Sequence, residues 1–446
     1  MSKLALLGGE KAVKERTPDA LYKWPINTPE VEEVALDVIR RNKFSGTDIT
    51  EQFEKEFAEW IGAKHALAFC NGTMSLHAAM FAAGVGVGDE IICTTKTYWA
   101  SVTAAYSLGA TPVFCNILPN LSMDPDDFER RITPRTKAVM VVHYSALPAD
   151  MDRIMEIARR HNIKVIEDVS HAQGGLYKGR RLGTIGDIGA MSMMSGKSLS
   201  AGECGVLVTN DRKYYERAIA FAHYDRNNSD YILESEDLKG YTGLPFGGLK
   251  GRANQLCTAI ARVRIKDYDE RCVTIRKAMN YFWDLLEGLP GIRPIRVDES
   301  TGSNMAGWYS PHGEYHPEEL GGLSVARFTE AVRAEGSRSH AGGNFCLHTH
   351  KLFNDCNVFH TEKPTRIAFT DRDVRLDDKS CDLSLTRYCF SVPWFKQFDD
   401  EYKKWIELHA SAFRKVIENY KDLLEGDTNT VIEGRWYGMN NDEAKR

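Results

Sequence analysis

Four short stretches of the chain combine residues that can do chemistry with small neighbours that let a ligand approach the backbone. Cys70-Asn71-Gly72-Thr73 follows the apolar run HALAF and precedes MSLHAAMFAAG, so Gly72 and Thr73 are expected to open a helix. A helix N-terminus offers unpaired N–H groups and a positive dipole end to an anion such as phosphate, although a plain capped turn reads the same way. Thr97-Tyr98-Trp99 follows IICT, and either ring could cover a flat ligand or simply fill the core. Glu167-Asp168-Val169-Ser170-His171 ends the run KVI. A carboxylate placed there could keep a heteroaromatic nitrogen protonated, since an opposite charge favours the ionised form by about 1–3 pKa units, or it could only cap a helix. Met191-Ser192-Met193-Met194-Ser195-Gly196-Lys197 places a lysine in a loop of small residues ahead of Gly202-Glu203-Cys204-Gly205. Such a lysine forms a Schiff base when burial or nearby cations lower its pKa, while most loop lysines are merely solvated.

All four stretches follow short, mostly apolar strand-like runs, and in open α/β sheets ligands bind beyond the carboxyl ends of the strands. A phosphate cradle, an aromatic, an acid, and then a hydroxyl with a lysine describe, in that order, a pyridoxal phosphate site.

The elements that must position these residues alternate. TPEVEEVALDVIRR, residues 28–41, has helical spacing and a Thr-Pro start. From Glu51 onward, helical stretches such as EQFEKEFAEWI alternate with the short runs EIICT, ATPVFCNI, KAVMVVHY and KVIEDV, which predicts βαβ units and a mainly parallel, doubly wound sheet over about 50–260. The continuously apolar VMVV (139–142) and KVI (164–166) are expected to be central strands. A long helical pattern after Gly251 ends at Gly288 and Pro290 and would lead into a smaller C-terminal α+β domain. Segments 291–320 and 354–384 read as loops. The expected division is an arm and helix (1–50), a large domain (51–265), a small domain (266–424) and a tail (425–446).

The 446 residues carry 57 Lys plus Arg against 62 Asp plus Glu, a net charge of −5, which leaves no basic footprint for nucleic acid. No apolar run approaches the ~18 residues of a membrane span, and the start MSKLALLGGE lacks a secretory core. Ten cysteines are scattered with no Cys-x-x-Cys pair, so reduced thiols in a cytoplasm are expected, with neither a disulfide framework nor a metal site.

Many stretches between Leu4 and Trp405 resemble the DegT/StrS sugar aminotransferases, which are fold-type I pyridoxal phosphate enzymes. The resemblance is carried by LALLGG, FSGTDITEQFEKEFAEWIGAKHA, NGTMSLHAAMFAAGVGVGDEI, TYWASV, IKVIEDVSHAQGGLYKGRRLGTIGDIGAMSM, the Ser-Gly-Lys loop and AGECGVLVTND. It implies that Lys197 is the Schiff-base lysine, which would also shuttle the substrate proton, and that Asp168 partners the pyridinium nitrogen. It further implies that His171 lies near the phenolic oxygen, that Tyr98 rather than Trp99 stacks on the ring, and that Gly72, Thr73 and Ser192 hold phosphate. Lys250 stands where many members carry an asparagine that reaches the neighbouring subunit's phosphate, which implies a homodimer with shared sites. CLHTHKLF resembles a small-domain stretch whose His348 or His350 would face substrate. Two departures are Cys204 in place of a glycine and Met-Ser-Gly before Lys197. The implied reaction moves an amine from glutamine or glutamate to a keto-cyclitol, the opening LALLGG pointing to inosose-type substrates. The alternatives are a nucleotide-linked keto-sugar acceptor, a lyase or aminohydroxybenzoate-synthase-like enzyme, and a non-catalytic regulator, the last disfavoured by the intact Lys197, Asp168 and Ser192.

Overall fold

Short β-branched runs become strands wherever helices cover them. The structure, a computed structural model, describes residues 3–223, 226, 233–244 and 247–432. Its strands in chain order are β1 (His65–Phe69), β2 (Glu90–Thr94), β3 (Thr111–Cys115), β4 (Thr136–Val142), β5 (Lys164–Asp168), a two-residue pair β6 (Leu176–Tyr177) and β7 (Arg180–Arg181), β8 (Ile188–Ser192) and β9 (Gly205–Thr209). Seven of them form one sheet in the order β1-β9-β8-β5-β4-β2-β3. Only β9 opposes its neighbours, so the other six strands end on the same edge. The apolar runs expected at the centre are there, with Val139–Val142 and Val165–Asp168 buried.

The helices are α1 (Pro29–Arg40), α2 (Asp48–Ile61), α3 (Gly72–Ala82), α4 (Ala100–Thr103), α5 (Pro125–Arg130), α6 (Met151–Arg160), α7 (Arg212–Ala222) and α8 (Gln255–Asp284). Local chemistry explains their limits. Thr28 accepts from the Val31 N–H, with Pro29 in the first turn and Glu30 and Glu32 beside it. In α6, Asp150 caps the start, Arg159 and Arg160 sit at the negative end of the dipole, and Met151, Ile154, Ile157 and Ala158 bury one face.

Helix α8 runs for 30 residues, roughly 45 Å, and is continuous through residue 265. It packs on α1 and α2 and, further along, on the helix Asp400–Glu418. Beyond it lies a second sheet, β10 (Ile292–Pro294), β11 (His312–Tyr315), β12 (His340–Ala341) and β13 (Cys389–Ser391), ordered β10-β11-β13-β12. Two of these strands fall within 291–320, which is therefore not the loop that its composition predicts. Gly, His and Pro hide the strand pattern, yet Trp308 and Tyr315 there are fully buried. Segment 354–384 also departs from expectation. Its turns Thr365–Ile367 and Val374–Ser380 pack on β3 and bring Arg366 to full burial against Phe114. Tail residue Asp427 accepts from the N–H and hydroxyl of Ser324, while residues 433–446 lie outside the described residues. Among the described residues no helix is long and apolar enough to cross a membrane.

Candidate active site

The common strand edge gathers the residues singled out in the sequence. After β1 the chain turns at Asn71, whose Oδ1 accepts from the Met74 N–H and starts α3. A Cβ on Gly72 would lie 2.5 Å from Ser192 Cβ, so only glycine lets the helix start close on the end of β8. The N-terminal amides of α3, the exposed Thr73 and the half-buried Ser192 thus form one cradle suited to an anion. Ser192 is held by its N–H to Ser170 Oγ at 3.0 Å and by Gln173 Nε2, which donates to its carbonyl at 2.6 Å.

At the end of β5 two adjacent carboxylates are treated differently. Glu167 accepts from the N–H groups of Gly183, Ile185 and Gly186 and pairs with His143 at 3.0 Å, so it is committed to the fold. Asp168 accepts only from the Ser170 N–H at 3.0 Å and the Ser101 hydroxyl at 2.7 Å, and it has no ion pair among the described residues. Lys197 is only 9% exposed, and burial pushes its amine down to about 8, opposed by the Asp168 carboxylate. Its Nζ lies 4.4 Å from the ring centre of Tyr309.

His171 sits between the rings of Tyr144 (5.3 Å) and Tyr309 (4.7 Å), and its Nδ1 accepts from the Ser145 N–H at 3.3 Å. Burial first, then the charges of Lys197 and His312, hold its pKa well below the ordinary value. The ring is therefore neutral, and with Nδ1 accepting, the proton is on Nε2.

Tyr98 and Trp99 are half-buried on the turn after β2, with ring centres 5.2 Å apart. The Ser101 N–H donates to the Tyr98 carbonyl, which ties that turn to the residue holding Asp168. His350 caps a short helix through Leu352 N–H and lies 6.0 Å from the Trp99 ring. His348 is separate. Burial, with Arg366 and Arg131 nearby, pushes its pKa down to about 4, so its charged neighbours belong to the packing on β3 and not to Lys197. Lys250 is exposed, and the next residue, Gly251, accepts from the Cys70 N–H at 2.7 Å just ahead of α3.

Several contributors carry no local sequence signal. Tyr309 comes from 291–320, between Ala306, Trp308 and Ser310 at φ 41°, 50° and 54°, left-handed angles that cost non-glycine residues about 1–3 kcal/mol each. Tyr268 of α8 donates to Ser198 Oγ at 2.8 Å, and Trp24 of the arm donates to the Lys197 and Ser198 carbonyls. Ser101 and Gln173 lie inside stretches already singled out, but nothing in their type marks them.

The model of the DegT/DnrJ/EryC1/StrS aminotransferase family matches residues 25–357. The chain belongs to this family. It is 31% identical over 344 residues, 74% of this chain and 80% of the relative, to the L-glutamine:2-deoxy-scyllo-inosose aminotransferase of Streptomyces kanamyceticus. It is 43% identical over 221 residues, 49% of this chain and 58% of the relative, to GDP-perosamine synthase of Escherichia coli O157:H7. The fold is similar to the X-ray structure of the aminotransferase from Psychrobacter cryohalolentis, with a TM-score of 0.74 and 26% identity, covering 90% of this chain and 99% of that one. The chain is thus an aminotransferase of fold type I. The family's aminotransferases work with pyridoxal phosphate, and the residues here fit that group: a cradle that a Cβ would fill, a buried carboxylate without a cation, and a buried lysine with a depressed pKa.

Proposed function

We propose that this aminotransferase uses pyridoxal phosphate to move an amino group from glutamine or glutamate to a keto-cyclitol or keto-sugar. The observation that carries this reading is Lys197, an amine buried to a pKa of about 8 on the edge that also presents Asp168 and the α3 cradle. Bound there, the cofactor supplies an aldehyde carbon and an electron-withdrawing ring. Gly72, Thr73 and Ser192 hold its phosphate, with Lys250 reaching a partner subunit's site in a homodimer. Asp168 keeps a proton at the ring nitrogen, the Nε2–H of His171 donates toward the ring oxygen, and Tyr98 covers the ring face. Lys197, its pKa lowered to about 8, is the residue that would hold the cofactor's aldehyde carbon and move the proton at the substrate carbon. His350, beside Trp99, lines the acceptor side. A cyclitol acceptor is favoured by the glutamine:inosose relative, and the GDP-perosamine synthase match favours a nucleotide-linked keto-sugar as second reading.

The test is visible absorption with added pyridoxal phosphate for wild type and Lys197→Ala, followed by separate titration with glutamine and glutamate. A lysine-dependent band that one donor bleaches is expected, with amine transfer in the variant down by at least ~10²–10⁴-fold. Absence of any lysine-dependent band would overturn the cofactor assignment, and a band that no donor bleaches would overturn the transfer.

A further inference from the structure

His171 is held from behind by a side chain that the reaction described above does not use. It sits between the rings of Tyr144 and Tyr309, and the residues that follow those two rings, Ser145 and Ser310, both bond to His312. His312 is buried and comes from β11 of the second sheet. Its Nδ1 lies 2.7 Å from the Ser310 carbonyl and 2.9 Å from Ser145 Oγ. A carbonyl only accepts, so Nδ1 carries a proton and shares it between the two serines. Ser145 at φ 53° and Ser310 at φ 54° are both left-handed, which non-glycine residues sustain only where their surroundings over-determine them. The far side of His312 is closed as well. A Cβ on Gly343 would come 3.2 Å from its Nε2 and 2.9 Å from the Tyr144 hydroxyl, which donates to Asn344 Oδ1 at 2.8 Å. Held this way, the Ser145 N–H reaches His171 Nδ1 at 3.3 Å, the bond that leaves the His171 proton on Nε2.

We propose that His312 is a positioning residue of the reaction, which fixes the orientation and tautomer of the His171 ring by tying Ser145 and Ser310 together. The inference rests on the transamination reading above, in which the Nε2–H of His171 donates toward the cofactor's ring oxygen. A donated hydrogen bond favours negative charge on that oxygen, and so favours the high-pH form of the cofactor band, in which no neighbouring proton offsets the charge. Without His312 the Ser145 turn is released, His171 loses its aim, and the band changes form at a higher pH. Burial first, then the Lys96 ammonium, pushes His312 itself down to about 4, so its own state stays fixed while the band is titrated.

The holoenzyme tests this through the pH midpoint of its lysine-dependent absorption band. His312→Phe keeps a ring in place and removes the donor, and it is expected to raise the midpoint by about 1 pH unit, the size of one hydrogen bond to a charged group. His171→Phe should raise it at least as far, and the double variant no further than His171→Phe alone. His312→Asn, whose side-chain N–H stands where the Nδ1–H stands, should return the midpoint close to wild type. An unmoved midpoint in folded His312→Phe overturns the proposal. So do additive shifts in the double variant, which mark an effect that bypasses His171, and so does an equal shift in His312→Asn, which marks a ring that only fills space. Should His312→Phe not fold, Ser145→Ala removes one of the two bonds and is expected to move the midpoint in the same direction, and no rise there overturns the proposal. A wild-type protein with no lysine-dependent band counts instead against the cofactor reading, and a band that no donor bleaches counts against the transfer.

Discussion

Burial is equally deep at the carboxyl edge of the large sheet and at the seam where residues 354–384 cover β3, but the two regions treat charge in opposite ways. At the seam every buried charge is matched. Arg366 grips Asp378 with two bonds of 2.5 and 2.9 Å, and Arg131 holds Asp127, the Ser380 hydroxyl and the Asp377 carbonyl. Arg372 pairs with Glu90 at 2.8 Å. At the edge, buried Lys197 and Asp168 make no ion pair among the described residues, and His171 is kept neutral. Neighbours in sequence repeat the contrast, with Glu167 fully bonded and Asp168 left open. Matched charges here build the fold, and the unmatched ones are those that the proposed reaction would use.

Arg366→Ala should strain this contrast most, because it leaves Asp378 buried and alone. We expect a loss of about 3–5 kcal/mol in urea unfolding, with the cofactor band of the surviving folded protein unaltered. A loss below 1 kcal/mol would show that the seam is not held by its ion pairs. Gly72→Ala comes next: its Cβ must push α3 from β8, costing about 1–3 kcal/mol and weakening retention of pyridoxal phosphate on dialysis. Full retention would remove the cradle from the site. The smallest effect is the sharpest. Loading of the apoprotein with cofactor needs the neutral amine of Lys197, so its rate should rise with pH and level off above about 8. Asp168 favours the charged amine, so Asp168→Asn should move that midpoint to lower pH. A midpoint that stays or rises would show that the Asp168 charge does not act on the Lys197 amine.

The edge was legible in the sequence because each of its residues follows a short, mostly apolar strand-like run, and the topology then brings strand ends together. Lys197, Asp168 and Gly72 stood out by local signals, whereas the roles given to His171 and Ser192 came from the family resemblance. Tyr309 and Trp24 reach the site through contacts with Lys197 that lie 112 and 173 residues away in the chain, and no periodicity announces such contacts. HGEY does not alternate, so β11 reads as loop until its neighbours cover it. Arg366 sits in a polar stretch, and burial of a matched ion pair leaves that stretch looking like surface. The two histidines of CLHTHKLF look equivalent in sequence, yet the backbone turns one toward Trp99 and the other toward Arg366.

The guanidinium of Arg366 also donates from Nε to the Pro112 carbonyl at 2.9 Å. Pro112 belongs to β3, one of the two edge strands of the large sheet, where all five residues are buried. An outermost strand with free carbonyls invites another chain to add itself by strand pairing, and proline, a covering loop and inward charges are the means by which proteins refuse that addition. This strand uses all three. Copies of the protein that associate must therefore do so through other surfaces, and the sheet cannot grow from one molecule into the next across β3.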